Sequence, residues 1–190
     1  DLLEEGGLGF VNLKCIERDG GFRADGLKRY GGTYKDTKVV RMGDIVIAVT
    51  DMTQERRLIA RAARIPDLGE AEMVFSMDLV RLAPKPDVPS AFLYGCLRYS
   101  KFPDEVKQHA NGVNVLHLSP DRIMEFTTAI PPVKYRIAYS NIAETIYREI
   151  DLLAHKNRIA QRTRDLLIPK LISGEIDVSR FSEEKMKVTA

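Results

Sequence analysis

Apolar positions along the chain fall into two regimes. Up to about residue 135 they come in short runs of two to seven, broken by Gly, Pro and charged residues. That is the signature of short strands and short helices. The first run, Phe10 to Ile16, predicts a strand. It is followed by a long, mobile, basic-edged loop, "DGGFRADGLKRYGGTYKD". Val39-Val40 and Ile45 to Val49 are β-branched runs on either side of Gly43-Asp44, and they predict two strands joined by a tight connection. Met73 to Phe75 and Leu79 to Leu82 predict a second strand pair. Ser90 is the expected N-cap of a helix over Ala91 to Leu97. Phe102 to Ala110 predicts another short helix, with Asn111-Gly112 as its C-cap. "NVLHL" predicts a strand. "LSPDRI" predicts a helix start, with Ser119 as N-cap and Pro120 at the first helical position. Pro131 and Pro132 hold the residues before them extended.

From Ile137 the pattern changes. No Gly or Pro occurs until Pro169, roughly 30 residues and about 45 Å of helix. Tyr139, Ala143, Ile146, Ile150, Leu153, Asn157, Ala160, Arg164 and Leu167 alternate at steps of four and three, an a/d heptad series. Polar Asn157 and Arg164 within it fix register at some cost in stability. A second apolar line, Leu152, Ile159 and Leu166, lies on another face of the same helix. Pairing of this helix with a partner helix is expected, because its length exceeds what a small domain covers. Pro169 is expected to kink or stop it, and Gly174 to cap the last turn. The fold class predicted is therefore α+β: a small mixed α/β domain, residues 1–133, then a long coiled-coil helix with its terminal turn, residues 134–178, and a tail, 179–190.

Composition narrows this picture only a little. The 190 residues are 44% hydrophobic and 29% charged, as in a globular protein. No window approaches the roughly 18 uncharged apolar residues of a membrane span, so no membrane partner is expected. There is no signal-peptide pattern, and the two cysteines, Cys15 and Cys96, lack CxxC spacing; a cytoplasmic setting with free thiols is the expectation. The net charge of +2 is too weak to argue for nucleic acid by itself. Local sorting of the charge matters more: Arg56, Arg57, Arg61 and Arg64 form a basic stretch after the strand at Ile45 to Val49. The chain begins at Asp1 and reads as a piece of something longer.

Motifs of catalysis are missing. No P-loop, dinucleotide fingerprint, nucleophile elbow or zincin helix occurs. His109, His117 and His155 are scattered without metal-ligand spacing. No cofactor or metal is expected. Any one of the three could act as a general base, and His117, in a predicted strand, is the one to watch.

The order of these pieces carries more information than any one of them. "VVRMGDIVIAVTDMT", "NGVNVLHLSPDRIMEFTTAIPP", a long heptad helix and "LLIPKLISGEIDV" together resemble the DNA-specificity subunit of type I restriction–modification systems. The likeness spans about Phe10 to Val178. After the double proline, "PPVKYRIAYSN" departs from the Glu-Gln that the family often carries there. The resemblance implies a target-recognition domain followed by one conserved helix. It implies a non-catalytic chain that reads half of a bipartite site in double-stranded DNA and directs methyltransferase (modification) and restriction subunits to it. Its helix would pair with a second copy or with the other half of a specificity subunit. Both a C-terminal half and a naturally short half-subunit fit.

Base edges and phosphates are read by Arg, Lys, Asn and aromatic side chains on loops. The candidates are Arg29, Tyr30, Tyr34 and Lys35 in the glycine-flanked segment, Arg56 and Arg57 after the strand, Lys101, and Asn111 and Asn114 around Gly112. Candidates for helix pairing are Ala143, Ile146, Ile150, Leu153, Asn157, Ala160 and Leu167. Two other classes stay open: a coiled-coil protein-interaction module without DNA binding, and a small enzyme centred on His117.

Overall fold

The computed structural model describes residues 1–177. Val178 and the predicted tail, 179–190, lie outside the described residues. In chain order the elements are β1 (Leu2–Leu3), β2 (Leu8–Val11), β3 (Lys28–Tyr30), β4 (Val39–Val40), β5 (Ile45–Ala48), β6 (Thr50–Asp51), β7 (Ala62–Arg64), β8 (Met73–Phe75) and β9 (Leu79–Leu82). Then follow α1 (Ser90–Tyr99), α2 (Phe102–Val106), β10 (Leu116–His117), α3 (Pro120–Met124) and α4 (Val133–Ile172). The chain is α+β, with mixed sheets and a long C-terminal helix. It divides into two units, Asp1–Tyr147 and the residues from Arg148 onward.

In the first unit β5 is the central layer. It pairs antiparallel with β7 on one side and β9 on the other. All four of its residues are buried, so it reads as a continuous apolar run rather than an alternating one. Its period of two nonetheless sorts the core. Ile45 and Ile47 join a cluster with Tyr94, Leu97, Phe102, Val106 and Ile123 from the helices and Leu116 from β10. Val46 and Ala48 face the opposite way, toward Val11, Val40, Met73 and Phe75. Those four residues belong to a second sheet, ordered β1-β3-β2-β8-β4, in which β2 and β8 run parallel and the other pairs antiparallel. β6 and β10 make a separate two-stranded pair.

The two predicted strand pairs are real strands with the wrong partners. β4 and β5 flank a turn in which the Arg41 N–H donates to the Asp44 carboxylate, yet β4 pairs with β8 while β5 lies in the other sheet. β8 and β9 are divided between the sheets in the same way. Each short connection is a corner between layers, because apolar runs buried on both faces need a partner layer on each side. The first strand also ends at Val11, where a single 3-10 turn, Leu13–Cys15, capped by Asn12, replaces it. The "mobile loop" contains β3, paired with β2.

Ser90 is the first residue of α1 rather than its cap; Pro89 holds that position, and the Ser90 hydroxyl donates to the Gly43 carbonyl. Ser119 caps α3 as expected and accepts from the Asp121 N–H. Asn111-Gly112 is no helix cap. Asn111 exchanges backbone hydrogen bonds with His117, 3.0 and 2.8 Å, and so opens a tight loop into β10. Gly112 has φ +147, and a Cβ there would meet the Val115 carbonyl oxygen at 1.9 Å.

Residues 133–147 of α4 belong to the first unit. Arg136, Ser140 and Ala143 are buried, spaced at four and three along one face. The Arg136 guanidinium donates to the Asp87 carbonyl at 2.6 Å and pairs with its carboxylate at 3.2 Å. Tyr139 meets Phe92 edge-on, and Tyr147 meets Tyr94 edge-on with Arg64 over its ring. Burial, then the neighbouring tyrosines 139 and 94, push the Tyr147 hydroxyl well above its ordinary value. The helix starts before the predicted Ile137, because Pro132 offers its carbonyl to the Tyr135 and Arg136 N–H groups and needs no N–H of its own.

In the second unit α4 continues to Ile172, so Pro169 is not its stop. Pro169 has no N–H to donate one turn back, and the helix runs on for three residues past it. Gly174, at φ +74, closes the last turn: its N–H reaches the Leu171 carbonyl and the Ile176 N–H reaches that of Lys170. Ile150, Leu152, Leu153, Ile159, Leu166 and Leu167 are all exposed.

Candidate nucleic-acid interface

The candidate interface is built on β6 and β10. Asp51 ends β6 with a carboxylate that is almost wholly buried. One of its oxygens accepts from the Thr53 N–H and hydroxyl, 2.8 and 2.9 Å, and the other from the Leu58 N–H, 2.8 Å. A buried carboxylate with three donors is satisfied, and it closes residues 52–58 into one fixed loop. That loop is then braced from outside. The Gln54 side-chain amide donates to the Val113 carbonyl at 2.6 Å. The Arg56 guanidinium reaches the carbonyl and side-chain oxygen of Gln108 at 3.4 and 3.3 Å. Arg56 itself sits at φ +54, a left-handed conformation uncommon outside glycine and held here by its surroundings.

These bonds bring Arg56, Arg57, Asn111 and Asn114 to one surface, with both asparagines exposed. They also bring in three cations that the sequence reasoning did not place in the site. Arg18, Arg61 and Lys107 join Arg56 and Arg57 around a cleft of about 260 Å³, with Glu55 and Asp19 as its acidic members. Arg57 pairs with Glu55 at 2.5 Å. Lys107 and Arg61 share Asp104, at 2.6 and 3.7 Å. The Lys107 hydrogen bond holds the Asp104 carboxyl below its ordinary range. Arg61 stands four residues past Arg57, the only local signal of its place. Arg18 and Lys107 arrive from distant segments, which no spacing rule reveals.

The glycine-flanked candidates sit differently. Arg29, in β3, pairs with Glu70 at 2.7 Å, and the other Glu70 oxygen accepts the Gly9 N–H. Tyr30 stacks on Phe10 and donates its hydroxyl to the Thr33 carbonyl. Tyr34 and Lys35 are exposed. Lys101 is exposed at the N-terminus of α2, where its carbonyl accepts from Asp104 and Glu105. His117 is exposed too; both its backbone groups bond Asn111, and it stands opposite Thr50 in the β6–β10 pair. A second concavity, about 290 Å³, is apolar in character, with Phe92, Cys96, Phe126 and Ile130 among its walls.

The arrangement is a cleft lined by four arginines, a lysine and two carboxylates on an α+β domain that carries a long helix. Solved structures share this fold, and two of them can be compared with this chain. One is a chain from a study of complex assembly and conformational transition of the type I R-M system, 17% identical, covering 89% of this chain and 39% of that one, with a TM-score of 0.52. The other is the HsdS subunit from Thermoanaerobacter tengcongensis, 15% identical, covering 86% and 41%, with a TM-score of 0.50. The chain thus has the fold of type I HsdS specificity subunits and spans about two fifths of the length of these neighbours. No family model and no curated protein sequence matches it. Among the described residues no acidic, His or Cys cluster could hold a metal ion, and no helix is long and apolar enough to cross a membrane.

Proposed function

We propose that this chain recognises a specific sequence in double-stranded DNA as the specificity subunit, or half of one, of a type I restriction–modification complex. The observation that carries the proposal is the braced surface of residues 52–58 and 111–115, set on a fold shared with HsdS. Cations there supply affinity through phosphates, and Asn111 and Asn114 supply candidates for base edges. Arg29, Tyr30, Tyr34, Lys35 and Lys101 remain proposed contacts of lesser reach. In this proposal the chain does no chemistry itself. It directs methyltransferase and restriction subunits to one half of a bipartite site. Its helix pairs, through Ile146, Ile150, Leu153, Asn157, Ala160 and Leu167, with a second copy or with the other half. Ala143 is already covered within the first unit.

The test is selection of random duplexes by the full chain together with its methyltransferase partner, followed by sequencing. A half-site or bipartite consensus supports the proposal, and no enrichment from a folded sample overturns it. One observation favours a second reading, an interaction module without DNA binding. The apolar exposure of Ile150, Leu153 and Leu166 suits a protein partner whatever the basic loops do.

A further inference from the structure

We propose that the cleft among Arg18, Arg57, Arg61 and Lys107 grips a backbone phosphate of the DNA, and that Glu55 and Asp104 hold its cations in place until the phosphate takes over. The inference rests on the DNA reading and adds to it the part of the surface that positions rather than reads. Cations from three distant chain segments converge on one concavity. Five cations line the cleft against two carboxylates, so positive charge is in excess there and a further anion would be attracted. The carboxylates already present mark where oxygen atoms are wanted. Glu55 lies against the Arg57 guanidinium, and one Asp104 oxygen lies between Lys107 and Arg61.

Two of the cationic heads are also pre-set. The Arg61 side chain is 18% exposed and that of Lys107 24%, so little freedom remains to be lost on binding. The loop carrying Arg56 and Arg57 is closed by Asp51 and fastened to Gln108 and Val113. A phosphate held here would fix the duplex against a neighbouring rim of Gln54, Gln108, Asn111 and Asn114. That rim has the donor-and-acceptor amides that distinguish base edges, whereas the cleft has none.

The experiment measures binding of the full chain to a duplex of random sequence between about 50 and 200 mM salt. Arg18→Ala with Lys107→Ala should lower the log–log salt slope by about 1 to 2. It should weaken binding alike on all sequences and leave the selected consensus unchanged. Glu55→Gln should tighten binding about threefold by freeing Arg57 for the phosphate. Glu4→Gln, an equal charge change on an exposed residue outside the cleft, should not. Thermal melts of each variant guard against a folding defect. A wild-type salt slope in the double variant, or equal effects of the two Glu→Gln changes, overturns the grip while the DNA reading stands. Absence of any duplex binding by the wild type at low salt overturns the DNA reading, and the grip falls with it.

Discussion

The two basic loops of the first unit look alike in sequence and differ in what their cations are doing. In the glycine-flanked segment, Arg29 is bound to Glu70 and Tyr30 is stacked on Phe10, so both side chains help to hold β3 against β2. In the 52–58 loop the backbone is held by Asp51, and Arg56 and Arg57 are left at the edge of a cleft. The difference teaches that a loop's cations stay at its surface when something else holds its backbone. A buried acid and the Arg56 contact to Gln108 share that work in one loop, and Arg29 performs it in the other.

The comparison breaks most readily at its supports. Gly112→Ala drives a Cβ into the Val115 carbonyl at a backbone angle that L residues rarely adopt. It should cost about 3 kcal/mol in denaturant unfolding and abolish any selected consensus. Asp51→Ala removes the acceptor of three hydrogen bonds and should cost about 2 kcal/mol. Its larger signature is loss of amide-exchange protection at Thr53 and Leu58, with weaker duplex binding; unchanged protection would show that Asp51 does not hold the loop. Smaller effects sharpen the contrast. Arg56→Ala with Arg57→Ala should flatten the salt slope by about 1 to 2, and Arg29→Ala with Lys35→Ala by about 1 or less. The reverse order would move the interface to the glycine-flanked segment.

The smallest effect is in the core. Burial pushes the Cys15 thiol up to about 11, above its ordinary value. The folded state therefore keeps the proton that the unfolded state releases first. This contribution is full below the ordinary thiol value and is lost as pH rises toward 11. Unfolding midpoints measured across that window should fall less for Cys15→Ala than for the wild type. Thiol reagents should label Cys96, which is partly exposed, ahead of Cys15.

Much of the fold is legible from pattern alone. Val39-Val40, Ile45 to Ala48, Met73 to Phe75 and Leu79 to Leu82 are strands where β-branched runs place them, and Gly174 caps the helix it follows. Their partners are not legible. A short turn such as Gly43-Asp44 looks like a hairpin, and only burial on both faces of β5 reveals a corner between sheets. Asn111-Gly112 has a C-cap's composition, but the bonds to His117 that define its role come from residues beyond the predicted helix. The candidate interface is legible in part for the same reason. Arg56, Arg57, Asn111 and Asn114 follow from residue type and loop position. Arg18 and Lys107 reach the cleft only through the packing of segments that are far apart in the chain.

The central claim is that the surface joining residues 52–58 to 111–115 reads DNA sequence. It is tested most directly by sequencing duplexes selected from a random pool by the wild type and by Asn111→Ala with Asn114→Ala. The account predicts a clear consensus for the wild type. In the double variant, preference should relax at particular base positions while the salt slope stays the same. An unaltered consensus in the variant, or none in the folded wild type, would contradict it.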